Sequence, residues 1–131
     1  MADSLANKKV LLVEDDYWIR EVYKMALRQR DLIVVEASDG AEAIEVFNKE
    51  KPDLVLLDIM LPVMSGLEVL KYVRKEALNN RNTPIFLITN VDTADIFDQA
   101  EQNNPDGFYL KSRITPQQIT DKVVLLLGSE K

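Results

Sequence analysis

The sequence predicts an α/β fold, a doubly wound, parallel five-stranded sheet with helices on both faces in a three-layer sandwich. Two observations carry this. Short apolar runs alternate five times with segments of helical period, and the connections between them are of ordinary length. Strands separated by helices imply parallel pairing through right-handed crossovers, with helices covering both faces of the sheet. The 131 residues suit one domain, 1–131, with a core over about 8–127.

Taken in order, "KKVLLV" (Lys8 to Val13) reads as the first strand and runs into "EDD". From Tyr17 to Leu27 the period becomes helical, with Ile19, Val22, Tyr23 and Ala26 as the expected buried stripe. "LIVVEA" is β-branched and strand-like. Asp39 with Glu42 three residues on marks the next helix start, and Ala43, Ile44 and Phe47 mark its buried side. "LVLLD" (Leu54 to Asp58) reads as a strand buried on both faces. Ser65 and Glu68 form a capping box ahead of a helix through Leu67, Leu70 and Val73. "PIFLIT" (Pro84 to Thr89) is the fourth strand, its proline at the entry where a missing donor does least harm. "TADIFDQAEQ" is helical and "GFYL" is the fifth strand. In "TPQQ", Thr115 caps the last helix, Pro116 takes its first position and Gln118 closes a box.

Composition narrows the chemistry. The chain has no cysteine and no histidine, which removes thiol chemistry, the commonest general base and the usual transition-metal ligand. A net charge of −6 argues against a nucleic-acid-binding surface. No stretch is apolar enough for a membrane span, and "MADSLANKK" lacks the apolar core of a secretory signal, so a cytoplasmic location is expected.

Ligands of such sheets bind outside the carboxyl ends of the strands, near the topological switch point. Glu14, Asp15 and Asp16 follow the first strand, Asp58 ends the third, Thr89 and Asn90 end the fourth, and Lys111 follows the fifth. At least three carboxylates therefore crowd one rim. Two like charges about 4 Å apart cost roughly 4 kcal/mol at an effective dielectric near 20, so the cluster needs compensation. Lys111 offers one positive charge. A divalent cation offers two, and an oxygen-only donor set suits Mg²⁺ or Mn²⁺ over zinc. Asp16, at the start of a helix, reads as its cap instead. A carboxylate beside such an ion and an ammonium can take a phosphoryl group and become an aspartyl phosphate, with no general base required.

These residues, in this order, resemble the receiver domain of two-component response regulators, of the chemotaxis-response-regulator-like kind. The resemblance runs from Lys8 to about Leu127 and is carried by "VLLVEDD", "ASDGAEAI", "PDLVLLDIMLPVMSG", "PIFLIT" and "FYLKS". It implies a flavodoxin-like sheet of order 2-1-3-4-5. It implies Asp58 as phosphoacceptor, with Asp15 as a direct metal ligand, Glu14 assisting, and the Met60 backbone carbonyl also on the metal. Thr89 and Lys111 would bind the phosphoryl group, and Phe108 would occupy the aromatic switch position. The donor would be a phosphohistidine on a sensor histidine kinase or phosphotransfer protein, docked on the first helix, with Trp18 in the contact, and on the loop after the fifth strand. Output would run through the face of the fourth helix, fifth strand and fifth helix, to a downstream protein or a homodimer, without direct nucleic-acid or membrane contact. Such a domain is a switch, not an enzyme in the usual sense: it catalyses only its own phosphorylation and slow self-dephosphorylation.

The sequence departs from the common pattern in three places. Ser112 follows Lys111 where the family usually has a proline in a cis peptide. A non-proline cis bond costs about 2.5–4 kcal/mol, so a trans Lys111–Ser112 bond is expected. Asn90 replaces a small residue and should narrow access to the acyl phosphate. Met60 and Val91 fill the positions that tune attack by water, and neither can orient one, so a long-lived phosphoryl group is expected.

Three rival readings compete. A flavin carrier of the same fold needs a hydroxyl- and glycine-rich phosphate loop, whereas "EDDYW" stands there. A haloacid-dehalogenase-type phosphatase expects a second Asp two residues past the first, where Met60 stands. The more serious rival is a phosphorylation-independent interaction module that keeps the fold.

Overall fold

Each helix begins where the sequence supplies a side-chain acceptor for an otherwise unpaired backbone N–H. Asp16 accepts from the Ile19 amide at 3.0 Å and Asp39 from that of Glu42 at 2.8 Å. Ser65 and Glu68 exchange side-chain to backbone bonds at 3.3 and 3.2 Å, and Thr115 and Gln118 do the same at 3.0 and 2.9 Å. Thr93 caps the remaining one, accepting from Ile96 at 3.3 Å. Each such cap contributes about 1 kcal/mol.

The structure, a computed structural model, describes residues 5, 7–77, 82–90 and 93–128. Strands β1 (Lys9–Val13), β2 (Ile33–Ala37), β3 (Leu54–Asp58), β4 (Ile85–Thr89) and β5 (Gly107–Leu110) alternate with five helices. These are α1 (Tyr17–Arg28), α2 (Gly40–Glu50), α3 (Gly66–Lys75), α4 (Ala94–Glu101) and α5 (Pro116–Gly128). All four pairings are parallel and the order is β2-β1-β3-β4-β5, the expected flavodoxin-like sheet.

Successive strand residues point to opposite faces, which divides the core in two. Leu11, Val13, Val55, Leu57 and Leu87 pack with Phe47, Leu70 and Val73 from α2 and α3. Val10, Leu12, Leu54, Leu56 and Ile88 pack with Tyr23 and Leu27 of α1 and Ile119 and Val123 of α5. Every residue of β3 and β4 is buried, as a central strand covered on both faces requires.

In α1 the buried side differs from the expected stripe. Tyr23, Ala26 and Leu27 are buried, whereas Val22 is 50% exposed. From Ile19, both i+3 and i+4 continue a helical stripe, and the side holding Tyr23 and Leu27 buries more apolar area. Among the described residues no helix is long and apolar enough to cross a membrane.

Two features shape the chain after Asp58. A Cβ on Gly66 would lie 2.1 Å from the Asp58 carbonyl oxygen, so only glycine lets α3 start this close to the end of β3. Val63 adopts φ 70° while the Met64 amide donates to the Pro62 carbonyl at 2.7 Å, closing a tight turn. A β-branched residue is disfavoured there by its Cβ, and Val63 is 81% exposed, so little burial compensates. Val63→Gly is expected to raise stability by roughly 1 kcal/mol, after allowing for the entropy glycine loses on folding. A urea midpoint unchanged or lowered in the variant would contradict this.

Candidate functional site

The order β2-β1-β3 places the switch point between β1 and β3, whose carboxyl ends carry the acids. Val13 pairs in register with Leu57, so Glu14 and Asp58 stand side by side one residue further on. Both are buried, at 3% and 4% exposure, while Asp15 points to solvent. Carboxylate oxygens of all three lie within 4.8 Å of one another. Thr89 is fully buried and pairs with Leu110, which brings Lys111 to the same rim.

Lys111 is the centre of the cluster. Its Nζ donates to Glu14 Oε1 at 2.5 Å and to Asp58 Oδ2 at 2.8 Å. Glu14 Oε2 accepts the Asp16 amide at 3.0 Å, and Asp58 Oδ1 accepts the Met60 amide at 3.0 Å. Each buried carboxylate thus has both oxygens engaged, as burial of a charge demands. Burial pushes the Glu14 carboxyl above its ordinary value, against the lowering influence of Lys111 and the Asp16 amide. For Lys111, burial pulls downward, but its bonds to Asp58 and Glu14 outweigh this and hold the ammonium above its ordinary range. The Lys111 ammonium therefore stays charged at neutral pH.

The donor set is all oxygen, two buried acids and one exposed, in a chain without histidine or cysteine. That chemistry fits Mg²⁺ or Mn²⁺ and does not suit zinc. Asp16 takes no part in the cluster and caps α1, as expected.

The remaining expected residues fall around this centre. Met60 is 59% exposed, with its backbone amide on Asp58. Asn90 is exposed and lines, with Trp18, Ile19, Tyr23, Lys111 and Pro116, an apolar groove of about 380 Å³. Phe108 is half-buried and meets Phe97 of α4 edge to face, ring centroids 5.3 Å apart. Val91 lies outside the described residues. The Lys111–Ser112 peptide is trans, and Lys111–Arg113 form a single 3₁₀ turn.

One residue at the site was not among those expected. Arg20 of α1 reaches back to donate to the Glu14 carbonyl at 2.7 Å. The available signal was its position, one turn past the Asp16 cap, where a long side chain on the strand side of α1 can return to the end of β1.

Comparison with known proteins bears on the family and the fold. Residues 10–124 match the family model described as the response regulator receiver domain. The alkaline phosphatase synthesis transcriptional regulatory protein PhoP of Bacillus subtilis is 35% identical over 124 residues, 92% of this chain and 49% of that protein. Sporulation initiation phosphotransferase F, also of Bacillus subtilis, is 30% identical over 75% of this chain and 77% of its own length. Among solved structures, the Francisella response regulator 1452 receiver domain has a TM-score of 0.84 at 26% identity, covering 95% of this chain and 100% of that one. The BeF3-activated N-terminal receiver domain of Klebsiella pneumoniae RstA has a TM-score of 0.80 at 31% identity, covering 94% and 100%. The chain spans about half the length of several curated relatives it matches. Those relatives are named as transcriptional regulators, and their names lend no support to the expectation of no nucleic-acid contact.

Proposed function

The chain belongs to the response regulator receiver domain family of two-component systems, and from that premise we propose that it is a phosphorylation-activated switch whose acceptor is Asp58. The observation that carries this is the hold on Asp58. Buried at the rim by β3, its carboxylate is fixed by the Met60 amide and Lys111 beside Glu14 and Asp15.

The donor in this reading is a phosphohistidine on a sensor histidine kinase or phosphotransfer protein. An Asp58 carboxylate oxygen forms the new bond to phosphorus while the P–N bond breaks, and the imidazole nitrogen keeps that electron pair. Little covalent help is needed, since such transfers depend on positioning and charge neutralisation. Glu14, Asp15, Asp58 and the Met60 carbonyl would hold Mg²⁺ or Mn²⁺, which when bound supplies two positive charges to the phosphoryl oxygens. Lys111 supplies a third, and the Thr89 hydroxyl donates to one of those oxygens. Asn90 lines the neighbouring groove with Lys111 and would narrow access to Asp58.

Phe108 links the site to output. Thr89 ends β4, Phe108 lies on the adjoining β5, and its ring packs on Phe97 of α4. A shift of Thr89 toward a phosphoryl group would free space for the Phe108 ring and repack α4. The α4-β5-α5 face then presents a changed surface to a protein partner or a second copy. The acidic net charge favours a protein partner over nucleic acid, and the proposed partnership with a kinase's phosphohistidine would put the domain in the cytoplasm.

Incubation with acetyl phosphate and Mg²⁺, followed by intact mass, tests the reading. Gain of one phosphoryl group, labile to hydroxylamine and absent with a chelator, is expected. No gain would favour the phosphorylation-independent interaction module.

The decay of that species is a separate prediction. Neither the thioether of Met60 nor the side chain of Val91 can orient an attacking water, so self-dephosphorylation should be slow. The phosphorylated protein, freed of acetyl phosphate in Mg²⁺ buffer, is expected to persist for many minutes. Decay within seconds would contradict it.

A further inference from the structure

The β1–α1 turn is tied to the edge strand through a side chain outside the acidic cluster. The Glu14 amide donates directly to the Ala37 carbonyl at the end of β2, at 3.1 Å. Its carbonyl is reached instead by Arg20, whose Nε donates to Glu36 Oε1, also on β2, at 3.0 Å. Lys24 takes the other Glu36 oxygen at 3.2 Å, and the Arg20 guanidinium lies 5.7 Å from the centre of the Tyr17 ring. The guanidinium is thus held by Glu36 and the ring, leaving Nη1 aimed at one carbonyl. A planar guanidinium can serve two acceptors at once in a fixed fork, which a lysine cannot.

That carbonyl belongs to the peptide plane from which Asp15 springs. Because the peptide is planar, holding the Glu14 oxygen also sets the direction of the Asp15 N–Cα bond. Asp15 is exposed, and packing does little to aim its carboxylate. We propose that Arg20 is a positioning residue for the metal site: its bond to the Glu14 carbonyl, braced by Glu36, orients Asp15 toward the cation and so sets divalent-ion affinity. This rests on the reading of Asp15 as a metal ligand. Supporting groups of this kind orient metal ligands, and their loss commonly costs about 10–100-fold in metal affinity or activity.

The test is a titration with Mn²⁺ alone, followed by the electron paramagnetic resonance signal of the free ion, on the wild type, Arg20→Gln, Arg20→Lys and Glu36→Gln. Arg20→Gln is expected to bind Mn²⁺ about ten-fold more weakly, with the other two variants between it and the wild type. The Mg²⁺ concentration for half-maximal phosphorylation by acetyl phosphate should rise by the same factor, while the rate at saturating Mg²⁺ stays within about two-fold. Metal-free urea unfolding runs alongside. A purely structural clamp would lower stability and leave the Mn²⁺ affinity of the folded variants unchanged. Unchanged affinity in any folded Arg20 variant, with wild-type binding intact, overturns this inference alone. Should Arg20→Gln not fold, Arg20→Lys and Glu36→Gln decide the outcome by the same criterion. Failure of the wild type itself to bind Mn²⁺ overturns both this inference and the reading of the site.

Discussion

Asp58→Asn is expected to abolish the phosphoryl mass gain while leaving the protein folded. Asparagine has the same shape, and its amide oxygen can keep the bond from the Met60 amide that Asp58 Oδ1 now accepts. Its NH₂ would face Lys111, two donors in opposition, so one charge-assisted hydrogen bond is lost. Against that loss, one of two crowded buried carboxylates disappears, and the repulsion with Glu14 disappears with it. The two effects oppose each other, so the change in stability should stay within about 1–2 kcal/mol. The chemistry has no such compensation. A neutral amide is not a nucleophile toward phosphorus, and nearby Glu14 already spends both oxygens on Lys111 and the Asp16 amide. Intact mass after acetyl phosphate and Mg²⁺ should show only the unmodified variant, with a native circular dichroism spectrum. Phosphorylation at the wild-type level would remove Asp58 from its assigned role.

Much of this site was legible in the sequence because parallel topology sorts chain ends by itself. Once "VLLV", "LVLLD", "IFLIT" and "GFYL" are read as parallel strands, Glu14, Asp58, Thr89 and Lys111 share a rim without knowledge of any contact. The helix starts were legible for a local reason, since a cap needs only an acceptor and an amide three residues on. What escaped the sequence depends on placement across the fold. Val22 and Tyr23 fit a helical stripe equally well until the neighbouring helix and sheet decide which is covered. The left-handed backbone at Val63 could not be read from its residue type, because valine resists that conformation and the Pro62–Met64 turn imposes it. The role of Arg20 needs Glu36, sixteen residues away on the edge strand, to bring its guanidinium onto the Glu14 carbonyl.

Removing the Lys111 charge should have the largest effect on stability. Lys111→Met keeps the length of the side chain and its packing but strands Glu14 and Asp58, both nearly inaccessible to water. Breaking a buried ion pair from one side typically costs about 3–5 kcal/mol, because the remaining charge keeps its desolvation penalty. Here two carboxylates are left within 4.8 Å of each other, which alone adds roughly 3 kcal/mol of repulsion at an effective dielectric near 20. Protonation relieves part of this, and that fixes the pH dependence. Burial already holds the Glu14 carboxyl above its ordinary value of 4.5, and losing the bond and charge of Lys111 removes two influences that lower it. A carboxyl raised in the folded state destabilises the fold when ionised and not when protonated. The deficit of the variant should therefore be full above the raised Glu14 value and shrink as pH falls through it toward 4.5. In the wild type the Lys111 contribution has the opposite dependence. Its raised value means that its stabilisation is complete below 10.5 and is lost only as pH climbs through the folded value above it. Urea unfolding of both proteins with a chelator, at neutral pH and near 4.5, measures the difference. Adding Mg²⁺ at neutral pH should restore part of the variant's deficit, since a bound divalent ion replaces the missing positive charge. Equal stability of the two proteins at neutral pH without metal would show that the carboxylates do not depend on Lys111.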